Sequence, residues 1–186
     1  MLVLEDKQLL RRVRSGNKDA LQQIYEKYSD DLFTVLVSLL RDLHASEDCL
    51  QEVFVNFAAN AGRFNIRHNL KRYLISCAVN LARDHLRKKM TPLNCPLEEL
   101  SPLATLNDPA QELIHEEDSA QLFQALAELP GEQRETFVLH VQGGLKFREI
   151  ANVQNVSIKT VQSRYRYGMA KLQSLLVKGN THEVRK

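Results

Sequence analysis

Lys159, Gln162, Ser163, Arg166 and Tyr167 recur at steps of three, one, three and one, so on a helix of 3.6 residues per turn they share one face. Ammonium, amide, hydroxyl and guanidinium groups in that order are partners for base edges and phosphates in a DNA major groove. The opposite face carries Val161, Tyr165, Gly168, Leu172 and Leu175 at steps of four, three, four and three, and should be buried. Just upstream, Phe147, Ile150, Ala151 and Val153 mark a short helix, and Asn155 stands where a turn needs a residue tolerant of positive φ. Ser157 is then placed to cap the second helix. Leu145 to Leu172 thus reads as a helix-turn-helix whose candidate contacts also include Ser157, Thr160 and Arg164. An ordinary helical hairpin with a solvated polar face has the same periodicity, and these residues alone leave both readings open.

A second set lies upstream. Arg63 to Lys89 holds eight basic residues (Arg63, Arg67, Lys71, Arg72, Arg83, Arg87, Lys88 and Lys89) against the single acid Asp84. Basic side chains supply phosphate contacts, and Phe64 and Tyr73 supply faces on which exposed bases stack, the parts needed to hold single-stranded DNA. Asn65, Asn69 and Asn80 add hydrogen-bonding groups, and the loop from Arg63 to Asn69 is placed to receive a flipped base. A charged helix with buried aromatics is the plain alternative.

Asp48, Gln51 and Glu52 fall at i, i+3 and i+4, which gathers two carboxylates and an amide on one exposed helix side. That is a docking patch for a basic or hydrogen-bonding protein surface, or else a solvated face. Bond-making chemistry finds no support. Asp84 beside His85 has no nucleophile, and Cys49, Cys77 and Cys95 lie far apart in no metal or disulfide pattern. No metal, cofactor or small-molecule substrate is expected, and a nucleic-acid enzyme would need a cluster that is not visible.

The elements that must carry these groups read as helices throughout, giving an all-α chain. Asp6 can cap a first helix through Leu9, Leu10 and Val13, closed by Ser15-Gly16-Asn17. A second follows through Ala20, Leu21, Ile24, Tyr25 and Tyr28. Ser29-Asp30-Asp31 is expected to break it from the strongly apolar helix Leu32 to Leu40. Ser46 is expected to begin the next helix, with Leu50, Val53, Phe54 and Phe57 as its buried stripe. Ala58 to Asn69 reads as a loop, and Leu70 to Lys89 as a long helix with Leu74, Cys77, Ala78, Leu81 and Leu86 inward. After it the pattern fails. Pro92, Pro96, Pro102 and Pro109 interrupt a stretch, Met90 to Asp118, that holds seven acids and no Lys or Arg. Helices resume over Glu112 to Leu129 and Glu132 to Gln142, with His140 at the core edge. A polar tail, expected to fray, starts at Lys178.

The net charge of +2 therefore conceals two basic blocks around an acidic one, for from Gly144 onward nine basic residues face two acids. That pattern fits two contacts with a polyanion joined by a segment that avoids it. The longest apolar run, Leu32 to Leu40, is too short to span a bilayer, and Met1 leads directly into charged residues. A cytoplasmic protein is expected.

From about Asp6 to Leu175 the pieces fall in a known order. The chain resembles the small two-domain extracytoplasmic-function sigma factors of bacterial RNA polymerase. DKQLLRRVRSGNKDALQQIYEKY looks like the opening helices of that class, and SEDCLQEVFVNF like its segment that docks on the polymerase clamp. FNIRHNLKRYLISCAVNLARDHLRKK is similar to the segment that melts and reads the minus-10 promoter element. ALAELPGEQRETFVLHVQGGLKFREIANVQNVSIKTVQSRYRYGMAKL is similar to the domain that reads the minus-35 element.

The resemblance implies polymerase binding by Asp48, Gln51, Glu52, Val53 and Phe54. It implies minus-10 contacts by Arg63, Phe64, Asn65, Arg67, Asn69, Lys71, Arg72, Tyr73, Asn80, Arg83 and Arg87. Minus-35 contacts would come from Ser157, Lys159, Thr160, Gln162, Ser163, Arg164, Arg166 and Tyr167. The implied layout is a clamp and minus-10 domain over 1–90, an acidic Pro-rich linker over 91–117 and a minus-35 domain over 118–186. Core RNA polymerase and promoter DNA are the implied partners, with an anti-sigma factor as the regulator usual for the class. The reading left as the alternative is a helix-turn-helix transcriptional regulator independent of polymerase. Four positions depart from the family. Tyr73 stands for a usual tryptophan, Gln162 for a Lys or Arg, Asn155 for a turn glycine, and Arg166 one place before the usual arginine.

Overall fold

The computed structural model describes residues 4–61, 69–90 and 121–183, which fall into two compact units. Every regular element among the described residues is an α-helix. The N-terminal unit contains α1 (Leu4–Arg14), α2 (Lys18–Leu40), α3 (Leu43–Asn60) and α4 (Leu70–Met90). α2 packs against the other three, and α3 also packs against α4.

The first helix does not begin at Asp6. It already runs from Leu4, and Asp6 lies inside it, 2% exposed, accepting hydrogen bonds from Tyr28 Oη at 2.9 Å and Lys27 Nζ at 3.0 Å. Gly16, at φ +82°, makes the turn, and Asn17 caps α2 by accepting from the Ala20 N–H.

α2 is continuous where Ser29-Asp30-Asp31 predicts a break. Ser and Asp each cost at most about 0.7 kcal/mol inside a helix, and the residues that stop one, Gly and Pro, are absent from the segment. Ser29 is buried, and Asp31 reaches out to the Lys71 ammonium of α4 at 2.6 Å. Buried Ile24, Leu32, Val35 and Leu36 then supply a single inward stripe along the whole element.

α3 starts earlier than Ser46. Asp42 is extended at φ −147° and its carboxylate accepts from the Ala45 N–H at 3.0 Å, the bond of an N-cap. Ser46, one turn in, is fully buried and donates to the Asp42 carbonyl at 2.6 Å. The helix also continues to Asn60, into the stretch read as loop. The Leu50, Val53, Phe54 and Phe57 stripe is buried as its spacing requires.

On α4 the buried face is Leu70, Leu74, Ile75, Ala78, Val79 and Ala82. Cys77, Leu81 and Leu86, expected inside, are half-buried at its border. Periodicity fixes the stripe to within one residue, and choosing Ile75 and Val79 over Cys77 and Leu81 turns the helix by about 100° at most.

The C-terminal unit contains α5 (121–127), α6 (Gly131–Val141), α7 (Phe147–Gln154) and α8 (Ile158–Glu183). α6 and α7 both pack on α8, around Phe137, Val138, Leu139, Leu145, Ile150, Val161 and Leu172. His140 joins this core at its edge. Its ring lies 4.5 Å from Phe147 and 4.9 Å from Tyr165, and Nδ1 donates to the Leu145 carbonyl at 2.8 Å. α8 continues past Lys178 to Glu183. The acidic linker with its prolines and leucines, Arg63, Phe64, Asn65, Arg67 and Cys95 lie outside the described residues.

Candidate nucleic-acid interface

The turn between α7 and α8 is built from local chemistry. Asn155 adopts the left-handed conformation, φ 53° and ψ 46°, and the Val156 N–H returns to the Ala151 carbonyl at 3.0 Å. Ser157 Oγ accepts from the Thr160 N–H at 3.1 Å and sits 2.9 Å from Thr160 Oγ1, so it caps α8. This capping holds Ser157 and half-buried Thr160 at the helix start, where backbone N–H groups point outward.

Beyond the cap, Lys159, Gln162, Arg166 and Tyr167 are exposed and Ser163 is half-buried. Val161 and Leu172 on the opposite face are buried. Arg166 lies over the Tyr167 ring, its guanidinium carbon 5.1 Å from the centroid, with Nη2 3.4 Å from the phenol oxygen. Two long side chains on the recognition face thus restrain one another. Arg164 is the exception among the candidates. It is 18% exposed and turned inward, with Glu132 Oε2 at 2.5 Å and Gln154 Oε1 at 2.8 Å. Spacing could not separate it from its neighbours, because it lies on the boundary between the two faces.

In the N-terminal unit, Tyr73, Ser76, Asn80, Arg83 and Arg87 follow at steps of three, four, three and four along α4 and make one polar stripe. At 1.5 Å per residue it is roughly 20 Å long. Asn80 and Arg87 are exposed, while Arg72, Tyr73 and Arg83 are half-buried. Arg87 also meets Asp84 at 2.9 Å. Asn69 Oδ1 accepts from the Arg72 N–H at 3.2 Å and so caps α4, and Lys71 is paired with Asp31. Tyr73 stands 6.4 Å from the Phe57 ring. Burial, then a hydrogen bond with Cys77, holds its phenol well above the ordinary range, so it stays neutral.

Asp48, Gln51 and Glu52 are all exposed on α3, on the side away from the core. Val53 and Phe54, grouped with them, point inward and are 1% and 7% exposed. Burial first, and then the Glu52 and Asp48 carboxylates, push the Cys49 thiol up. An open apolar groove next to this patch is lined by Leu21, Tyr25, Phe54, Val55 and Ala58, with the Tyr25 and Phe54 rings 4.8 Å apart. Among the described residues no cluster of His, Cys, Asp or Glu could hold a metal ion, and no helix is long and apolar enough to cross a membrane.

The comparisons with known proteins agree with this layout. The family profile described as Sigma-70 region 2 matches residues 24–91, and that described as Sigma-70, region 4 matches residues 119–172. The ECF RNA polymerase sigma factor SigW of Bacillus subtilis is 26% identical over 179 residues, covering 91% of this chain and 96% of that protein. The RNA polymerase sigma-H factor of Pseudomonas aeruginosa is 27% identical over 169 residues, covering 86% and 88%. CnrH, solved in complex with the cytosolic domain of CnrY, superposes with a TM-score of 0.70 at 22% identity, covering 94% of this chain and 98% of that one. The sigma factor RpoE of Bartonella quintana, solved with the anti-sigma factor NepR, gives 0.67 at 23% identity, covering 83% and 95%. With both regions matched in order, one on each helical unit, this chain belongs to the sigma-70 family of RNA polymerase sigma factors, in its ECF class.

Proposed function

We propose that this chain directs core RNA polymerase to a promoter and opens the duplex there, with a separate task for each unit. In the N-terminal unit, Asp48, Gln51 and Glu52 meet the polymerase clamp, and Val53 and Phe54 hold the helix that presents them. The α4 stripe of Arg72, Tyr73, Asn80, Arg83 and Arg87, together with the segment Arg63 to Asn69, receives the minus-10 strand as it unpairs. In the C-terminal unit, Lys159, Gln162, Ser163, Arg166 and Tyr167 enter the major groove at the minus-35 element. Residues 1–90 form the first unit, 91–117 the linker and 118–186 the second. Phosphodiester chemistry belongs to the polymerase, and this chain supplies binding and specificity. The solved Bartonella quintana factor is held by an anti-sigma factor, and we propose an inhibitory protein partner of that kind here.

The observation that carries this reading over a regulator independent of polymerase is the N-terminal unit itself. Its α3 shows an exposed acidic and amide patch on one side, and its other side packs on the helix carrying the basic stripe. A helix-turn-helix regulator needs neither. Reconstitution with core polymerase and run-off transcription on a promoter library tests it. Core binding, lost on Gln51→Ala with Glu52→Ala, and templated initiation are expected. A chain that binds DNA with no affinity for core polymerase sinks the proposal.

A further inference from the structure

Gln154 is the last residue of α7, next to the left-handed turn at Asn155, and its amide is hydrogen-bonded on both sides. Nε2 donates to Glu135 Oε1 at 2.9 Å and to Thr136 Oγ1 at 3.0 Å, both on α6. Oε1 accepts from Arg164 Nη1 of α8 at 2.8 Å. The second arm of the Arg164 guanidinium returns to α6 through Glu132 Oε2. Thr136 is fully buried and its hydroxyl donates to the Glu132 carbonyl at 2.7 Å, which closes the network on the α6 backbone. These polar contacts tie three helices together at the corner that sets the angle between α7 and α8. A planar guanidinium is suited to this, because its rigid fork addresses two acceptors on different helices at once. Reversing the Gln154 amide would set its NH2 against the guanidinium and its oxygen against Glu135, so the network has one sense.

From this geometry we propose that Arg164 is a positioning residue for promoter recognition. Through Gln154 and Glu132 it fixes the pose of the recognition face and makes no contact of its own with DNA. The proposal rests on the minus-35 reading of α8. It assigns to an internal lock an arginine whose place in the sequence invites a phosphate or base contact.

Two signs separate the possibilities. Glu132→Gln removes a negative charge from the DNA-binding unit. If Arg164 contacts DNA, the change frees the arginine, lowers repulsion and tightens binding. If Arg164 positions α8, the same change loosens the lock and weakens discrimination. A lost phosphate contact also lowers the slope of log K against log salt by about 1, whereas a lost positioning contact leaves the slope alone.

The test uses the full chain reconstituted with core polymerase and a promoter fragment that this holoenzyme selects. Competitor fragments carry a scrambled upstream element. Expected is a roughly tenfold loss of discrimination for Arg164→Ala and for Gln154→Leu, no further loss in the double variant, and an unchanged salt slope. Glu132→Gln is expected to lose two- to threefold. Additive losses, a slope lower by about 1 in Arg164→Ala, or unchanged or tighter binding in Glu132→Gln overturns the proposal. Glu132 is exposed, so its substitution carries the test where either truncation unfolds the unit. Arg166→Ala is run in parallel. If it changes binding to neither the cognate nor the scrambled fragment, the minus-35 reading has failed. If it abolishes discrimination while the Arg164 and Gln154 effects add, only the positioning role has failed.

Discussion

Tyr28 donates its hydroxyl to the same Asp6 oxygen that receives the Lys27 ammonium, at 2.9 and 3.0 Å, inside a carboxylate that is 2% exposed. Glu5 takes Lys27 from the other side at 2.6 Å, so α1 is tied to α2 by a clip with one buried anion. Removing that anion leaves a buried phenol unpaired and halves the contacts of the lysine. Asp6→Ala should therefore destabilise the N-terminal unit by about 2 kcal/mol, with Asp6→Asn less severe because the amide oxygen still accepts from Tyr28. Urea unfolding followed by a probe in the N-terminal unit checks this. Equal stability of Asp6→Ala and the parent chain would show that the clip contributes nothing.

The same clip predicts an alkaline limit. Burial, then the bond to Asp6, pushes the Tyr28 phenol up to about 12. The bond to Glu5 is the largest of the effects that raise Lys27. Both groups hold their protons more tightly folded than unfolded, so their contribution is complete below their ordinary values near ~10 and disappears as pH rises through the folded ones. The urea midpoint should be level up to about pH 9.5 and fall between roughly 10 and 12. Tyr28→Phe should flatten part of that fall. A midpoint that climbs with pH in this window contradicts the assignment.

The turn of the helix-turn-helix gives a conformational test. Asn155 occupies φ 53°, a left-handed region that Gly and, among residues with a side chain, Asn tolerate best, while Ala and most others are strained there. Asn155→Gly should change stability by only a few tenths of a kcal/mol, while Asn155→Ala should cost about 1 kcal/mol. Thermal melts of the two variants beside the parent measure it. Identical melts for Gly and Ala would mean that the turn relaxes out of the left-handed region.

What the sequence allowed to be read follows from how local each cause is. The helical faces, the Asn155 turn and the Ser157 cap were legible because they depend on spacing and on one residue's own conformational preference. Ser29 to Asp31 misled because three polar residues in a row resemble punctuation, while burial of Leu32, Val35 and Leu36 on the same stripe as Ile24 overrides their weak propensity. Asp6 and Ser46 look like helix starts for the same reason, since only tertiary burial separates a capping Asp or Ser from an internal one. The α3 cap is instead Asp42, one of the residue types preferred at that position. The inward pairing of Arg164 is not legible in the sequence, because its partners, Glu132 and Gln154, lie 32 and 10 residues away in the chain and no helical period links them.

The α3 patch separates contact from support. Gln51 and Glu52 are exposed, so Gln51→Ala with Glu52→Ala should leave the melt within about 0.5 kcal/mol and lower core-polymerase affinity. Val53 is 1% exposed in the core beneath them, and Val53→Ala should cost about 1–3 kcal/mol of stability. Its polymerase affinity should be unchanged under conditions where the chain stays folded. Loss of affinity in Val53→Ala at full stability would place that side chain in the interface.

On the recognition face, the Arg166 guanidinium over the Tyr167 ring couples two predictions. A bidentate contact to a base is worth about 1–3 kcal/mol of discrimination, so Arg166→Ala should weaken binding to the cognate upstream element by that amount and hardly affect scrambled DNA. Tyr167→Phe retains the ring beneath the guanidinium and removes only the 3.4 Å bond to the phenol oxygen, so its loss should be small. Tyr167→Ala releases the arginine and should cost part of what Arg166→Ala costs, with the double variant no worse than Arg166→Ala alone. Competition binding of the reconstituted holoenzyme on both fragments reads all four proteins. An equal loss on cognate and scrambled DNA would turn Arg166 into a phosphate contact and leave sequence reading to Lys159, Gln162 and Ser163.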